Sequence, residues 1–170
     1  FIIDEISAGF RMNCGGAHLL YGIKPDIAVF SKALGNGYPI AAIIGRASVM
    51  ESAQKSFISS TMWTERIGPV AALAMIKKFR ALKVHEHLME IGRLIQEGWG
   101  TAGKRHGLTV NVSGIYPLSH FTFDDQDHLV MKAFFIQEML EKGFLASNLF
   151  YSMFAHTKEH VAAYLTAVDE

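Results

Sequence analysis

The chain opens on Phe1-Ile2-Ile3-Asp4-Glu5-Ile6, an apolar, β-branched run interrupted only by its two acids. Such a run predicts a short strand buried on both faces, as in a parallel sheet. Gly15-Gly16 then punctuates a loop and short helix over 7–22. Pro25-Asp26 forms a turn, and Ile27 to Ser31 predicts a second short apolar strand ending at Lys32. The segment Gly35-Asn36-Gly37-Tyr38-Pro39 suits no regular element, and Ile40 to Ile44 predicts a third strand. Ser48 is the expected N-cap of a short helix reaching Ser52. An irregular polar stretch over 56–68 precedes a helix opening on Pro69 and running to Ala81. A second helix is expected from Val84 to Ala102.

The remainder has a different texture. Gly107 to Ser113 and Leu118 to Phe123 alternate like half-buried strands. Asp124 or Asp125 should cap a helix from Gln126 to Lys142, closed by Gly143. Phe144 to Phe154 reads as strand and turn. Thr157 should cap a last helix, with Glu159 in its first turn where a carboxylate suits the helix dipole. The pattern therefore divides into an α/β part to about residue 80 and an α+β part joined to it by the long helices. A buried strand is an uncommon first element, and too few crossover units follow to complete a large parallel sheet. The expectation is a fragment whose front half lies elsewhere.

Composition removes several function classes. Sixteen basic residues balance sixteen acidic ones among 170, so no charge surplus is available to neutralise a phosphate backbone. No apolar run reaches the roughly 18 residues of a membrane helix, and no signal peptide is visible. Cys14 is the single cysteine, so no internal disulfide forms, which fits a reducing, cytoplasmic compartment.

Two residues carry candidate chemistry. Asp4 is a carboxylate within an apolar strand; burying it unpaired costs several kcal/mol, roughly, so a cationic or strongly donating partner is expected. Lys32 ends the next apolar strand, ahead of a glycine loop. Ligands of open parallel sheets bind at the carboxyl ends of the strands, which places both residues at one rim. Taken singly, Asp4 reads as a cap or turn residue and Lys32 as a solvated surface lysine. Together they match a demand of pyridoxal-5′-phosphate (PLP) chemistry: an amine to bond the cofactor aldehyde, and a carboxylate to keep the pyridine nitrogen protonated.

The segments Phe-Ile-Ile-Asp-Glu-Ile-Ser-Ala-Gly-Phe-Arg from residue 1, Gly15-Gly16-Ala17, Tyr21-Gly22-Ile23-Lys24-Pro25-Asp26 and Ser31-Lys32-Ala33-Leu34-Gly35-Asn36-Gly37-Tyr38-Pro39-Ile40 resemble the cofactor core of class III aminotransferases. The likeness is greatest to the glutamate-1-semialdehyde aminomutase-like branch. It is dense to Gly45-Arg46 and continues, more weakly, through Pro69-Val70-Ala71-Ala72 to Ala155-His156-Thr157. The resemblance implies the α/β PLP-transferase fold, fold type I. Residues 1–80 would form the carboxyl-terminal part of the large, mostly parallel-sheet domain, and residues 81–170 the small α+β carboxyl-terminal domain. It implies that Asp4 bonds the pyridine nitrogen and that Ile6 packs against one face of the ring, where the family usually has valine. Lys32 would be the Schiff-base lysine and the base that moves the proton. The family's phosphate-binding threonine, from the neighbouring subunit of a homodimer, falls on Thr64 by gapless counting back from Pro69, with Thr61 as the alternative. Here Thr64-Glu65-Arg66-Ile67-Gly68-Pro69 departs from the common Gly-Asn-Pro pattern.

The phosphate-cradling turn, the ring-stacking aromatic and most substrate contacts are expected upstream of residue 1. The implied reaction is transfer of an amino group between small molecules. The alternatives are an intramolecular aminomutase acting on glutamate-1-semialdehyde, another PLP reaction, and a non-catalytic relic of the fold. The fragment alone is not expected to be active.

Other signals read as structural. His85 and His87 point to different helix faces, and His156 and His160 have a zinc-pair spacing but no third ligand, so no metal site is expected. Asp124-Asp125-Gln126-Asp127 lacks the glycine and terminal glutamate of a calcium loop. Gly35-Asn36-Gly37 opens no helix, so it is not a dinucleotide fingerprint. The stripe Ala71, Met75, Phe79, Leu82 reads as core or dimer surface, and Cys14 as an inert thiol.

Overall fold

The computed structural model describes residues 1–61 and 64–170. The chain divides into two compact units, Phe1–His85 and Glu86–Glu170.

The first unit is built on a three-stranded sheet in the order β1 (Ile2–Asp4), β2 (Ile27–Phe30), β3 (Ala42–Gly45). β1 and β2 run parallel, with Ile2 opposite Ile27 and Asp4 opposite Val29. β3 returns antiparallel to β2, placing Val29 opposite Ile43 and Phe30 opposite Ala42. A 3₁₀ turn over Ala17–Tyr21 lies in the β1–β2 crossover, and another over Lys32–Leu34 begins the glycine loop. Helix α2 (Ile67–Ala81) covers one sheet face, where Ala28, Phe30, Leu34 and Ala72 form a buried cluster with Ile3, Met75 and Ile76 packed against it. The stripe on α2 is thus core at Phe79 and half-buried at Met75, while Leu82 is exposed.

Within this chain, the strand expected to be buried on both faces is covered on one only. β1 alternates exposed, half-buried, exposed, so Ile2 and Asp4 lie on the open face with Val29 and Ile43. An apolar β-branched run measures strand propensity and cannot tell whether one layer or two will cover it.

Helix starts also departed from expectation. The short helix α1 (Ala47–Met50) has Arg46 at its N-cap with no side-chain bond, so Ser48 falls inside the first turn. Helix α2 begins two residues before Pro69, because Glu65 accepts hydrogen bonds from Arg66 N (2.8 Å) and Ile67 N (3.1 Å) and organises the turn earlier.

The second unit is a three-stranded antiparallel sheet, β4 (Val110–Ser113), β5 (Leu118–Phe123) and β6 (Leu149–Tyr151), in that order. It packs with helices α3 (Val84–Arg105), α4 (His128–Glu141) and α5 (Lys158–Asp169). Their shared core holds Ile91, Ile95 and Trp99 from α3, Phe121 from β5, Met139 from α4, and Val161, Tyr164 and Ala167 from α5. Trp99 Nε1 donates to the Tyr164 hydroxyl at 3.0 Å, which satisfies both polar groups inside this core. Asp127, rather than Asp124 or Asp125, holds the N-cap of α4 and makes no side-chain cap there; Asp125 instead accepts from Asp127 N at 2.8 Å. Thr157 caps α5 as expected, and with His160 it forms a reciprocal capping box. No helix among the described residues is long and apolar enough to cross a membrane.

Candidate functional site

The candidate site lies at the carboxyl ends of β1 and β2. Because the two strands are parallel, the chain leaves both at the same rim of the sheet. Asp4 is the last residue of β1, and Lys32 follows β2 by two residues.

Lys32 takes a left-handed backbone conformation, φ 46°. That region costs a residue bearing a Cβ about 1–2 kcal/mol. Local hydrogen bonds hold it there: Gly35 N and Asn36 N both donate to the Lys32 carbonyl, at 3.1 and 3.0 Å. Across the glycine loop, Ser31 Oγ donates to the Ile40 carbonyl at 2.7 Å and closes the route from β2 to β3. The Lys32 side chain is exposed, and its Nζ donates to Ser7 Oγ at 2.5 Å. Among the described residues no carboxylate forms an ion pair with it.

Asp4 ends the apolar strand as expected but is exposed, so the burial that called for a cationic or strongly donating partner is absent, and the donor it meets is a backbone N–H. Its Oδ1 accepts the backbone N–H of Ile6 at 2.8 Å, which folds the carboxylate over the turn after β1. This leaves Oδ2 without a partner among the described residues. Ile6 itself is half-buried in that turn.

The buried acid of the segment is Glu5, only 2% exposed. Its Oε1 accepts the backbone N–H of His18 at 2.8 Å and meets His18 Nδ1 at 2.7 Å, with the His18 ring also buried. Gly16 makes room for this contact: a Cβ there would lie 2.3 Å from His18 Nδ1 and 2.8 Å from Glu5 Oε1. The pair ties the crossover loop to the strand that carries Asp4. Sequence reasoning missed both Glu5 and Ser7. An acid next to a strand-end aspartate followed by a glycine pair is the only local hint of the first, and nothing local signals the second.

Thr61 and Thr64 are exposed and lie between the 3₁₀ turn Glu51–Lys55 and α2. Among the described residues no hydrogen bond joins either to Lys32 or Asp4. The other sequence candidates take structural positions. His156 Nδ1 accepts from Met153 N, and His160 Nδ1 from Thr157 N, both at 3.2 Å. Burial holds the His156 ring below the usual histidine range, with His160 and His87 adding to the effect. The Arg80 guanidinium donates to Cys14 Sγ at 3.3 Å.

An amine and a carboxylate at the ends of adjacent parallel strands, on an open face, can together bond a carbonyl ligand and pair with a cationic ring nitrogen. Known proteins are similar to this chain along nearly its whole length. A glutamate-1-semialdehyde 2,1-aminomutase of Clostridium kluyveri is 32% identical over 188 residues, covering 99% of this chain and 44% of that protein. A 2'-deamino-2'-hydroxyneamine transaminase of Streptomyces kanamyceticus is 30% identical over 166 residues, covering 94% of this chain and 41% of that protein. The chain thus spans well under half the length of the curated relatives it matches. The FumI protein of Sphingopyxis sp., solved in its PLP internal aldimine form, superposes with a TM-score of 0.93 at 25% identity, over 99% of this chain and 41% of that one. The fold is therefore that of the type I PLP-dependent transferases. The aminotransferase class-III family matches residues 1–168, from the first strand through the last helix, and this chain belongs to that family.

Proposed function

We propose that this chain supplies the lysine-bearing part of a PLP-dependent aminotransferase. The observation that carries the reading is the convergence of Lys32 and Asp4 at the carboxyl ends of parallel β1 and β2. The residues fit the group. The Lys32 amine has a neutral partner, and Asp4 keeps Oδ2 free for a ring N–H. When bound, PLP supplies an electron-accepting ring next to the substrate carbon that loses its proton.

In this reading Lys32 Nζ would hold the cofactor at its aldehyde, and once free would take a proton from the substrate carbon and return it. Asp4 Oδ2 would pair with the pyridine nitrogen and favour its protonated form. Ile6 would pack against the ring. Thr64, or Thr61 in its place, would hold the phosphate of a second copy in a homodimer. The partners are a small-molecule amino donor and acceptor, and the free thiol of Cys14 suits a reducing cytoplasm.

The likeness to aminomutases favours one second reading, in which the amino group moves within a single substrate such as glutamate-1-semialdehyde. Product analysis separates the two: a distinct keto product from the amino donor marks transamination, and an isomer alone marks the mutase.

The test is borohydride reduction after incubation with PLP, followed by peptide mass spectrometry on the protein expressed from its complete reading frame. A pyridoxyl group on the Lys32 peptide is expected. A protein that acquires none there is a non-catalytic relic, and the proposal fails.

A further inference from the structure

We infer that Ser7 is a positioning residue for the Lys32 amine. The inference rests on the function proposed above. A lysine side chain carries about 2 kcal/mol of rotamer entropy, and this one is exposed, so its free end needs an anchor to be presented in one direction. The anchor is the hydrogen bond from Nζ to Ser7 Oγ, between residues 25 positions apart.

Ser7 is itself held. It leaves β1 in a turn closed by Gly9 N donating to the Glu5 carbonyl at 2.8 Å, and its own carbonyl accepts from Arg11 Nε at 2.7 Å. Behind the turn, the buried Glu5 side chain is fixed on His18. The hydroxyl is thus mounted on a rigid support, as a functional constellation requires.

The type of acceptor matters chemically. A carboxylate in this place would favour the ammonium form, which has no lone pair to attack a carbonyl. The carboxylate on the same strand, Asp4, is turned toward Ile6 N instead. A neutral hydroxyl accepts one N–H and leaves the nitrogen lone pair directed away from that bond. In covalent attachment the lone pair of Nζ attacks the aldehyde carbon and a carbon–nitrogen bond forms. The aldehyde oxygen departs as water, carrying off both amine protons. The bond to Ser7 therefore exists only while Nζ bears hydrogen: before attachment, and again when Lys32 is free to carry the substrate proton. Ser7 acts on those two states.

The experiment compares the wild type with Ser7→Ala and Ser7→Thr, expressed from the complete reading frame and freed of cofactor. Each is mixed with PLP and quenched with borohydride at intervals, and the pyridoxyl group on the Lys32 peptide is quantified by mass spectrometry. The Ser7→Ala protein should gain the group about fivefold more slowly, as expected for loss of one hydrogen bond. The Ser7→Thr protein, which keeps a hydroxyl, should stay within about twofold of the wild type. Equal rates for Ser7→Ala and the wild type overturn the inference while leaving the cofactor reading intact. A Ser7→Thr protein as slow as Ser7→Ala also overturns it, since the loss would follow any change in the turn. A wild type that gains no pyridoxyl group at Lys32 removes the cofactor reading and this inference with it.

Discussion

Removing the Glu5 carboxylate should loosen the crossover loop behind the site without touching Lys32. In Glu5→Ala, the backbone N–H of His18 loses its acceptor at 2.8 Å and His18 Nδ1 loses its partner at 2.7 Å, both inside the fold. A buried donor left unsatisfied costs about 1–3 kcal/mol. Two such groups give roughly 2–6 kcal/mol. The substitution also removes a buried carboxylate whose Oε2 has no partner, and that relief offsets part of the cost. The net expectation is about 2–4 kcal/mol of local stability. Hydrogen exchange read by mass spectrometry is the suitable assay, because it reports the opening of one segment rather than of a chain with two units. Peptides covering residues 16–23 should exchange about thirty- to a thousandfold faster, since about 1.4 kcal/mol corresponds to tenfold. His18→Ala should lose less, and adding it to Glu5→Ala should cost little more, because the two side chains act on one contact. A change below about threefold in that segment, with wild-type exchange elsewhere, would show that the pair does not hold the loop, and the reasoning would fail.

Two further outcomes follow from the second unit. In Gly92→Ala the new Cβ would sit 1.8 Å from the Tyr116 carbonyl oxygen, a backbone atom that cannot swing aside, so α3 must move off the β4–β5 turn. Thermal denaturation should show a loss of more than about 2 kcal/mol, and a near wild-type melting temperature would count against the close contact. In Tyr164→Phe, Trp99 Nε1 is left buried without an acceptor, which should cost about 1–3 kcal/mol in denaturant unfolding. The Tyr164 hydroxyl is pushed up to about 12 by burial. Its neutral form is favoured in the fold, so this contribution is intact below pH about 10 and is lost as pH rises from about 10 toward 12. The phenylalanine variant should lack that alkaline loss, and an unchanged alkaline slope would assign it to other groups.

Much of the candidate site was legible before the fold. Lys32 and Asp4 stand out because each is a polar end to an apolar run, and strand order alone brings two such ends to one rim. The cap at Thr157 was legible for a similar reason, since a cap acts on backbone only three residues away. The caps assigned to Ser48 and Asp124 or Asp125 failed at this same short range, because neighbouring residues compete for one helix end. Glu65, seated ahead of Pro69, shows the competition directly: its carboxylate captured two N–H groups and started α2 early.

The sequence by itself determined the elements, the two candidate residues and their separation along the chain. Those depend on local propensity and on hydrophobic period, which are properties of neighbours. Only the tertiary structure decided which acid is buried. Glu5 and Asp4 are adjacent, and the pleat sends one into the unit and the other onto the open face. It also decided what each group touches: Glu5 finds His18 across 13 positions, and Lys32 finds Ser7 across 25. No period in the sequence encodes contacts between residues so far apart: the first forms where the crossover folds back on the end of β1, the second where two parallel strands let the chain out at the same edge.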